Sequence, residues 1–245
     1  SLYIDLAESS RGEERRCYQE SINLLTPICK AWASDWGFRV TEWSLQVFGG
    51  YGYIKDYPAE QYLRDCKIAS IYEGTNGIQA LDLVARKISA NDGSALRRHL
   101  DEVGATVERL GDTNQLGSCS GLLKEALGEI EAVLSDVFHG PDADEMKMLN
   151  AVPFLDMIGN LFAAGYLLEQ GAIAEERLAA LLEGRGGSLD DDEFYDRLLA
   201  GNRDAAFFHN KVRSVRHFAF RVLPQVRAAA VALRAGEREP IEAVF

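Results

Sequence analysis

The sequence predicts an all-α protein: a helical bundle followed by a second helical layer or domain. Three observations carry this. Apolar residues recur at steps of three and four along most of the 245 residues, the period of amphipathic helices. Nowhere do strands alternate with helices, which argues against a doubly wound nucleotide-binding fold. Only six prolines interrupt the chain, and its 47% hydrophobic and 26% charged residues suit a soluble globular protein with a real core.

Taken in order, Leu2, Ile4, Leu6 and Ala7 look like the tail of a helix that begins upstream. Residues 8–20, with Glu8, Arg11, Glu13, Glu14, Arg15 and Arg16, read as a charged surface loop. Thr26-Pro27 has helix-start chemistry, since threonine can cap and proline suits the first helical position. The helix should run to about Phe48, with Ile28, Trp32, Trp36, Val40, Trp43 and Val47 on one apolar face. The run Gly49-Gly50-Tyr51-Gly52-Tyr53 should end it, because glycine tolerates positive φ. A short helix is expected after Pro58 and an extended link from Ile68 to Tyr72. The helix starting near Thr75 should bury Ile78, Leu81, Ala85 and Ile88.

At Asn91-Asp92-Gly93 the character changes, which divides the chain into residues 1–92, with an incomplete first helix, and residues 93–245. Residues 95–110, 120–138, 144–170 and 172–183 read as amphipathic helices, with Pro153 kinking or delimiting one of them. Glu183 to Gly187 reads as a glycine-rich loop. The acidic run from Asp190 to Glu193 suits the positive end of the next helix dipole. A helical stretch from about 193 to 235, kinked at Pro224, closes the chain.

The net charge of −12 and pI of about 4.9 repel phosphate backbones and anionic membrane surfaces, so neither nucleic acid nor membrane is an expected partner. No run approaches transmembrane length, and no signal peptide is evident. Cys17, Cys29, Cys66 and Cys119 form no CxxC pair and fit free thiols in a reducing compartment. The expected location is the bacterial cytoplasm, or the mitochondrial matrix in a eukaryote. His99, His139, His209 and His217 are scattered; the last two share a helix face without a third ligand, so no metal is expected. The arginines and Lys211 of the last helical stretch fit salt bridging or a solvated face. Phe207, Phe208, Phe218 and Phe220 read as core.

The chemistry concentrates in three segments. Glycines 49, 50 and 52 let a backbone approach a ligand and free amides face a phosphate, but they lack the GxGxxG spacing and follow a helix, so a plain glycine stop fits too. Glu73, after Ile71-Tyr72 and before Gly74-Thr75, has two roles open. It can satisfy free amides at a helix start. Or it can face an apolar pocket, where desolvation raises its pKa and makes it a base near neutral pH, Gly74 leaving room for substrate.

Together, Gln46-Val47-Phe48-Gly49-Gly50-Tyr51-Gly52-Tyr53, Arg64-Asp65 and Ile71-Tyr72-Glu73-Gly74-Thr75-Asn76-Gly77-Ile78-Gln79 resemble the C-terminal domain of the acyl-CoA dehydrogenase family over residues 24–88. The resemblance implies that Glu73 removes the α-proton of an acyl-CoA thioester, its amide helping to hold the thioester carbonyl. A hydride then leaves the β-carbon for flavin N5, giving a trans-2-enoyl-CoA. It also implies that Tyr72 lines the acyl pocket, with Gly74 beside the substrate and Arg86 either near CoA or on a solvated face. Thr75 and Gln79 match positions near FAD. Gln46, Gly49 and Gly50 match a segment touching the FAD held mainly by a neighbouring subunit. Arg64-Asp65 matches a structural ion pair.

Residues 151–166 and 207–224 resemble the extra helical domain of longer members, and residues 71–87 the bacterial subgroup that includes methylmercaptopropionyl-CoA dehydrogenase. Implied partners are an electron-transfer flavoprotein and one or three further copies of the chain, as homodimer or homotetramer. Domains absent from this sequence supply much of the family's flavin and CoA sites, so the chain alone is expected to be inactive. An acyl-CoA oxidase and a non-catalytic helical assembly or binding module are the alternatives.

Overall fold

The computed structural model describes residues 1–111, 116–140, 142–185 and 192–242. Among them every regular element is helical and none is a strand, so the all-α class is observed. Of the predicted glycine-rich loop and acidic run, Gly186, Gly187, Asp190 and Asp191 lie outside the described residues.

Helix α1 spans Leu2–Ser9 and α2 spans Gly12–Phe48. The expected loop over residues 8–20 is therefore mostly helix. Glu13 and Glu14 occupy the first turn of α2, where negative charge meets the positive dipole end. Arg16 pairs with Glu13 at 2.8 Å and Glu20 at 3.9 Å, the i,i+3 and i,i+4 contacts of an exposed helix face. Glu20 also accepts from Asn91 at 2.6 Å and pairs with Arg98 at 3.6 Å. Charges that suggested a loop are used as tertiary ties.

Pro27 is not at a helix start but inside α2. Thr26 does not cap; its Oγ1 donates back to the Ile22 carbonyl at 2.6 Å. Proline forfeits one backbone hydrogen bond and strains the preceding turn, but Leu24, Pro27, Ile28 and Ala31 are all buried together, and that burial outweighs the defect. The apolar face changes along the helix. Ile28 is buried, Trp32 and Trp36 are half-buried, and Val40, Trp43 and Val47 are exposed. The tryptophans pack on one another, Trp36 lying 5.7 Å from Trp32 and 6.1 Å from Trp43 between ring centroids.

Gly49 ends α2 at φ +60°. Helices α3 (Gly50–Tyr53) and α4 (Ala59–Lys67) follow, the latter after Pro58 as expected. Instead of an extended link, a 3₁₀ turn continues α4 over Ile68–Ser70, with the Ile71 and Tyr72 amides both donating to the Ile68 carbonyl. The Arg64-Asp65 ion pair does not form: both side chains are exposed, and Asp65 accepts from Gln61 at 3.4 Å. Adjacent helix positions point about 100° apart.

Helix α5 (Asn76–Asp82) runs into a π turn over Leu83–Lys87. Its buried residues are Ala80, Leu83, Val84 and Ile88, while Ile78 and Ala85 are exposed. Both stripes obey helical spacing; packing chose the one rotated from the prediction, and the π turn adds a residue that keeps Ile88 inside. Helix α2 packs against α1, α4 and α5.

Beyond Asn91 and Asp92, both left-handed, lie α6 (Ser94–Leu110), α7 (Gly117–Asp136), α8 (Ala143–Leu149), α9 (Ala151–Glu183), α10 (Asp192–Gly201), α11 (Arg203–Arg221), α12 (Gln225–Arg234) and α13 (Glu239–Glu242). Pro153 sits in the first turn of α9, where no amide is missed. The predicted break at 170–172 is absent. Pro224 separates α11 from α12 as predicted, and an unpredicted break falls at Asn202, whose side chain caps α11 by accepting from the Asp204 and Ala205 amides at 3.0 Å. Contrary to expectation, α9 is long and apolar enough, by length and composition alone, to cross a membrane; 67% of its most apolar 18-residue window is buried inside the chain, as befits a core helix.

The chain forms two compact units. One comprises residues 1–99 and 134–159 with the described residues from 233, the other residues 100–133 and 160–232. In the first, Phe138 and Phe154 meet at 4.7 Å between centroids, and Gly159 lies against Trp32, whose Cδ1 would be 2.3 Å from any Cβ there. In the second, Gly171 admits Leu116 and Val215 equally closely, each 2.9 Å from the missing Cβ. Leu178, Leu182, Leu198 and Ala205 bind α9, α10 and α11 together. Phe208 packs on that cluster, but Phe207 and Phe220, predicted as core, are exposed beneath the cations of Lys211 and Arg216.

Candidate active site

Glu73 occupies a turn that its own sequence would not choose. Its φ is +53°, and Gly74 follows at +80°. Two successive left-handed residues reverse the chain between the 3₁₀ turn and α5. Glycine takes that conformation freely; an L-residue with a side chain does so at a cost.

The helix-capping role left open by the sequence belongs to Thr75. Its Oγ1 accepts from the Ile78 amide at 3.3 Å and makes it the N-cap of α5. The Glu73 carboxylate is thus not the cap. The Glu73 backbone carbonyl accepts from Gln79 Nε2 at 2.9 Å, while its own amide donates to no described residue. A Cβ on Gly74 would lie 2.8 Å from Gln79 Nε2, the end of a flexible side chain, so the demand for glycine there comes from its φ.

Two residues of α2 that sequence reasoning passed over, Lys30 and Ser34, fix this turn together with Asn76 of α5. Lys30 Nζ donates to the Gly74 carbonyl at 2.6 Å and to Asn76 Oδ1 at 2.8 Å. Asn76 Nδ2 donates to Ser34 Oγ at 2.9 Å and to the Ala31 carbonyl at 3.2 Å. Ser34 Oγ in turn reaches the Ala31 carbonyl at 3.0 Å. A signal existed: Lys30 and Ser34 are polar residues at i+3 and i+7 from Pro27, on the buried stripe of α2.

The apolar pocket expected around Glu73 is not closed within this chain. Glu73, Ile71, Tyr72 and Ile78 are all exposed. Other large apolar side chains exposed on this chain are Trp43, Val47, Tyr51, Tyr53 and Tyr62, with Val47 87% and Tyr53 80% exposed. Arg86 lies on the surface in an i,i+4 ion pair with Asp82.

Of the predicted site residues, the structure brings Tyr72, Glu73, Gly74, Thr75 and Gln79 together. It does not bring Gln46, Gly49 and Gly50 to them: Gln46 is sixteen positions beyond Lys30 on α2, on the order of 24 Å along the axis at 1.5 Å per residue. At that far end, Gly49 is required by its φ of +60° and Gly52 by the Leu45 carbonyl, 2.5 Å from where a Cβ would sit. Gly50 has neither constraint; its φ is ordinary and nothing lies within 4 Å. Among the described residues nothing demands glycine there. Among the described residues no group of three or more metal-ligand side chains occurs.

The structure defines an all-helical chain that carries a carboxylate on a left-handed glutamate-glycine turn, held from a helix whose far end is a glycine run. Comparison with known families goes further. Residues 9–88 match the model described as acyl-CoA dehydrogenase, C-terminal domain, and residues 99–243 the model described as acetyl-CoA dehydrogenase C-terminal like. The chain belongs to the acyl-CoA dehydrogenase family. It is 26% identical to a butyryl-CoA dehydrogenase of Syntrophomonas wolfei over 98% of this chain and 37% of that protein. It is 33% identical to the broad-specificity linear acyl-CoA dehydrogenase FadE5 of Mycobacterium tuberculosis over 80% of this chain and 32% of the relative. With the 3-methylmercaptopropionyl-CoA dehydrogenase of Ruegeria pomeroyi it shares 32% identity over 81% of this chain and 33% of the relative. The chain therefore spans about a third of the length of the curated relatives it matches.

Proposed function

We propose that this chain supplies the base and part of the FAD site of an acyl-CoA dehydrogenase that converts an acyl-CoA thioester to a trans-2-enoyl-CoA. The observation that carries this is Glu73: a carboxylate on a left-handed turn, with capping left to Thr75 and the backbone held from α2. Glu73 takes the α-proton, and its unengaged amide donates to the thioester carbonyl, which stabilises the enolate-like charge that develops. Bound FAD supplies the acceptor for the hydride that leaves the β-carbon.

The residues present fit that cofactor in part. Thr75 Oγ1 accepts from the Ile78 amide and so keeps its hydroxyl proton to donate. Gln79 places its amide on the same turn. The open Gly50 and the exposed Gln46 and Gly49 offer backbone and amide donors at the far end of α2, a distance that suits contact with the FAD of a neighbouring subunit in a homodimer or homotetramer. Tyr72 and Gly74 line the acyl side. Arg86, paired with Asp82, can reach CoA only by giving up that pair.

The exposed apolar surface around the turn supports closure of the site by the remainder of the full-length protein, and the chain alone is inactive on this account. Burial of Glu73 then comes from that remainder. An electron-transfer flavoprotein is the proposed electron acceptor. Glu73→Gln in the full-length, flavin-loaded protein should abolish enoyl-CoA formation while acyl-CoA still binds; dehydrogenation at the parent rate would refute the base assignment. Measuring enoyl-CoA with and without oxygen separates dehydrogenase from oxidase.

A further inference from the structure

We propose that Lys30, acting with Asn76, is a positioning residue for the Glu73 base, an inference that rests on Glu73 being that base. The turn holding Glu73 is backbone-strained, and such turns persist only where their surroundings over-determine them. Here the surroundings are one short stretch of α2 and the first turn of α5. Lys30 grips the Gly74 carbonyl, Asn76 is held by Lys30, Ala31 and Ser34, and Gln79 grips the Glu73 carbonyl from the other side. The carbonyls of Glu73 and Gly74, in successive peptides, are thereby both fixed.

The use of a lysine is informative. The chain carries 38 acidic residues and a net charge of −12, yet half-buried Lys30 forms no ion pair with a carboxylate among the described residues and spends its charge on a peptide carbonyl and an amide oxygen. Charge-assisted hydrogen bonds are roughly twice as strong as neutral ones. Because the peptide is planar and trans, pulling the Gly74 carbonyl toward α2 sends the Thr75 N–H to the opposite side. One contact thus sets the direction of the turn from which the carboxylate projects. A surface lysine kept for solubility would need none of this geometry.

The test uses the full-length, flavin-loaded protein and the variants Lys30→Met, Asn76→Ala and Lys30→Arg. Measured are kcat and KM for acyl-CoA, the primary isotope effect with α-deuterated substrate, flavin content and Tm. A misplaced base should cost Lys30→Met and Asn76→Ala roughly 10- to 100-fold in kcat with KM little changed. The α-deuterium isotope effect should rise as proton transfer becomes the slow step, and Lys30→Arg should recover part of the rate. If kcat and the isotope effect stay at parent values, or if the loss follows flavin content and Tm with the isotope effect unchanged, the inference fails. Should Lys30→Met not fold, the isotope effect of Lys30→Arg and Asn76→Ala decides by the same criterion. Glu73→Gln in parallel separates the two levels: activity retained there sinks the base assignment itself, whereas activity lost there and kept in the Lys30 and Asn76 variants sinks the positioning role alone.

Discussion

Replacing Glu73 with glycine should make the protein more stable and inactive at once. Glu73 sits at φ +53°, where a side chain crowds the following carbonyl at about 1–2 kcal/mol. Glycine removes that crowding but loses more freedom on folding, about 0.5–1 kcal/mol. The Glu73 side chain is exposed, and the bond from Gln79 goes to its backbone carbonyl, so truncation sacrifices no packing. The net gain is about 0.5–1 kcal/mol, which for a chain of this size raises Tm by roughly 1–4 °C. Glu73→Gln keeps the same φ and should leave Tm unchanged. Thermal unfolding followed by far-ultraviolet circular dichroism, with a urea series beside it, separates the two variants. A Tm for Glu73→Gly at or below that of Glu73→Gln would mean that no strain is stored at the base.

Gly159→Ala should destabilise by about 1–3 kcal/mol through overpacking, because its Cβ would fall 2.3 Å from Trp32 Cδ1 and 3.1 Å from Trp32 Cβ. Gly128→Ala in α7, with nothing within 4 Å, should instead stabilise by about 0.5–1 kcal/mol; urea midpoints of opposite sign are the check. Asn202→Ala removes both cap bonds of α11 and should cost about 1 kcal/mol, read from the same unfolding curves. His209 Nδ1 and the Tyr195 hydroxyl share a hydrogen bond at 2.8 Å, and burial first, then the Arg213 charge, lowers the His209 pKa. A lowered folded pKa means that the unfolded chain takes the proton first. The contribution is fully present above about pH 6.5 and is lost as pH falls from there through the lowered folded value. Tm measured between pH 8 and 5 should therefore fall less steeply in His209→Asn than in the parent.

Much of the site was legible before any coordinates. The three motifs named the family, and Gly49, Pro58 and Thr75 punctuate helices where their local chemistry requires it. Local rules failed where a tertiary partner changed their value. Pro27 is tolerated inside α2 because its neighbours are buried. The charges of residues 13–20 extend a helix because Glu20 has Asn91 and Arg98 to hold. The buried stripe of α5 is Ala80, Leu83, Val84 and Ile88, one of two that spacing allowed.

Sequence by itself determined the helical period and the motifs that name the family, since each depends on residues close to one another along the chain; that the Glu73 carboxylate is the base stays a proposal. Whether that carboxylate caps a helix or stands free was undecidable at that range, because both roles use the same neighbours. The tertiary structure decided it. Lys30, 43 positions before Glu73 in the chain, reaches the Gly74 carbonyl, and such a contact across the fold can hold a left-handed glutamate that local propensity would reject.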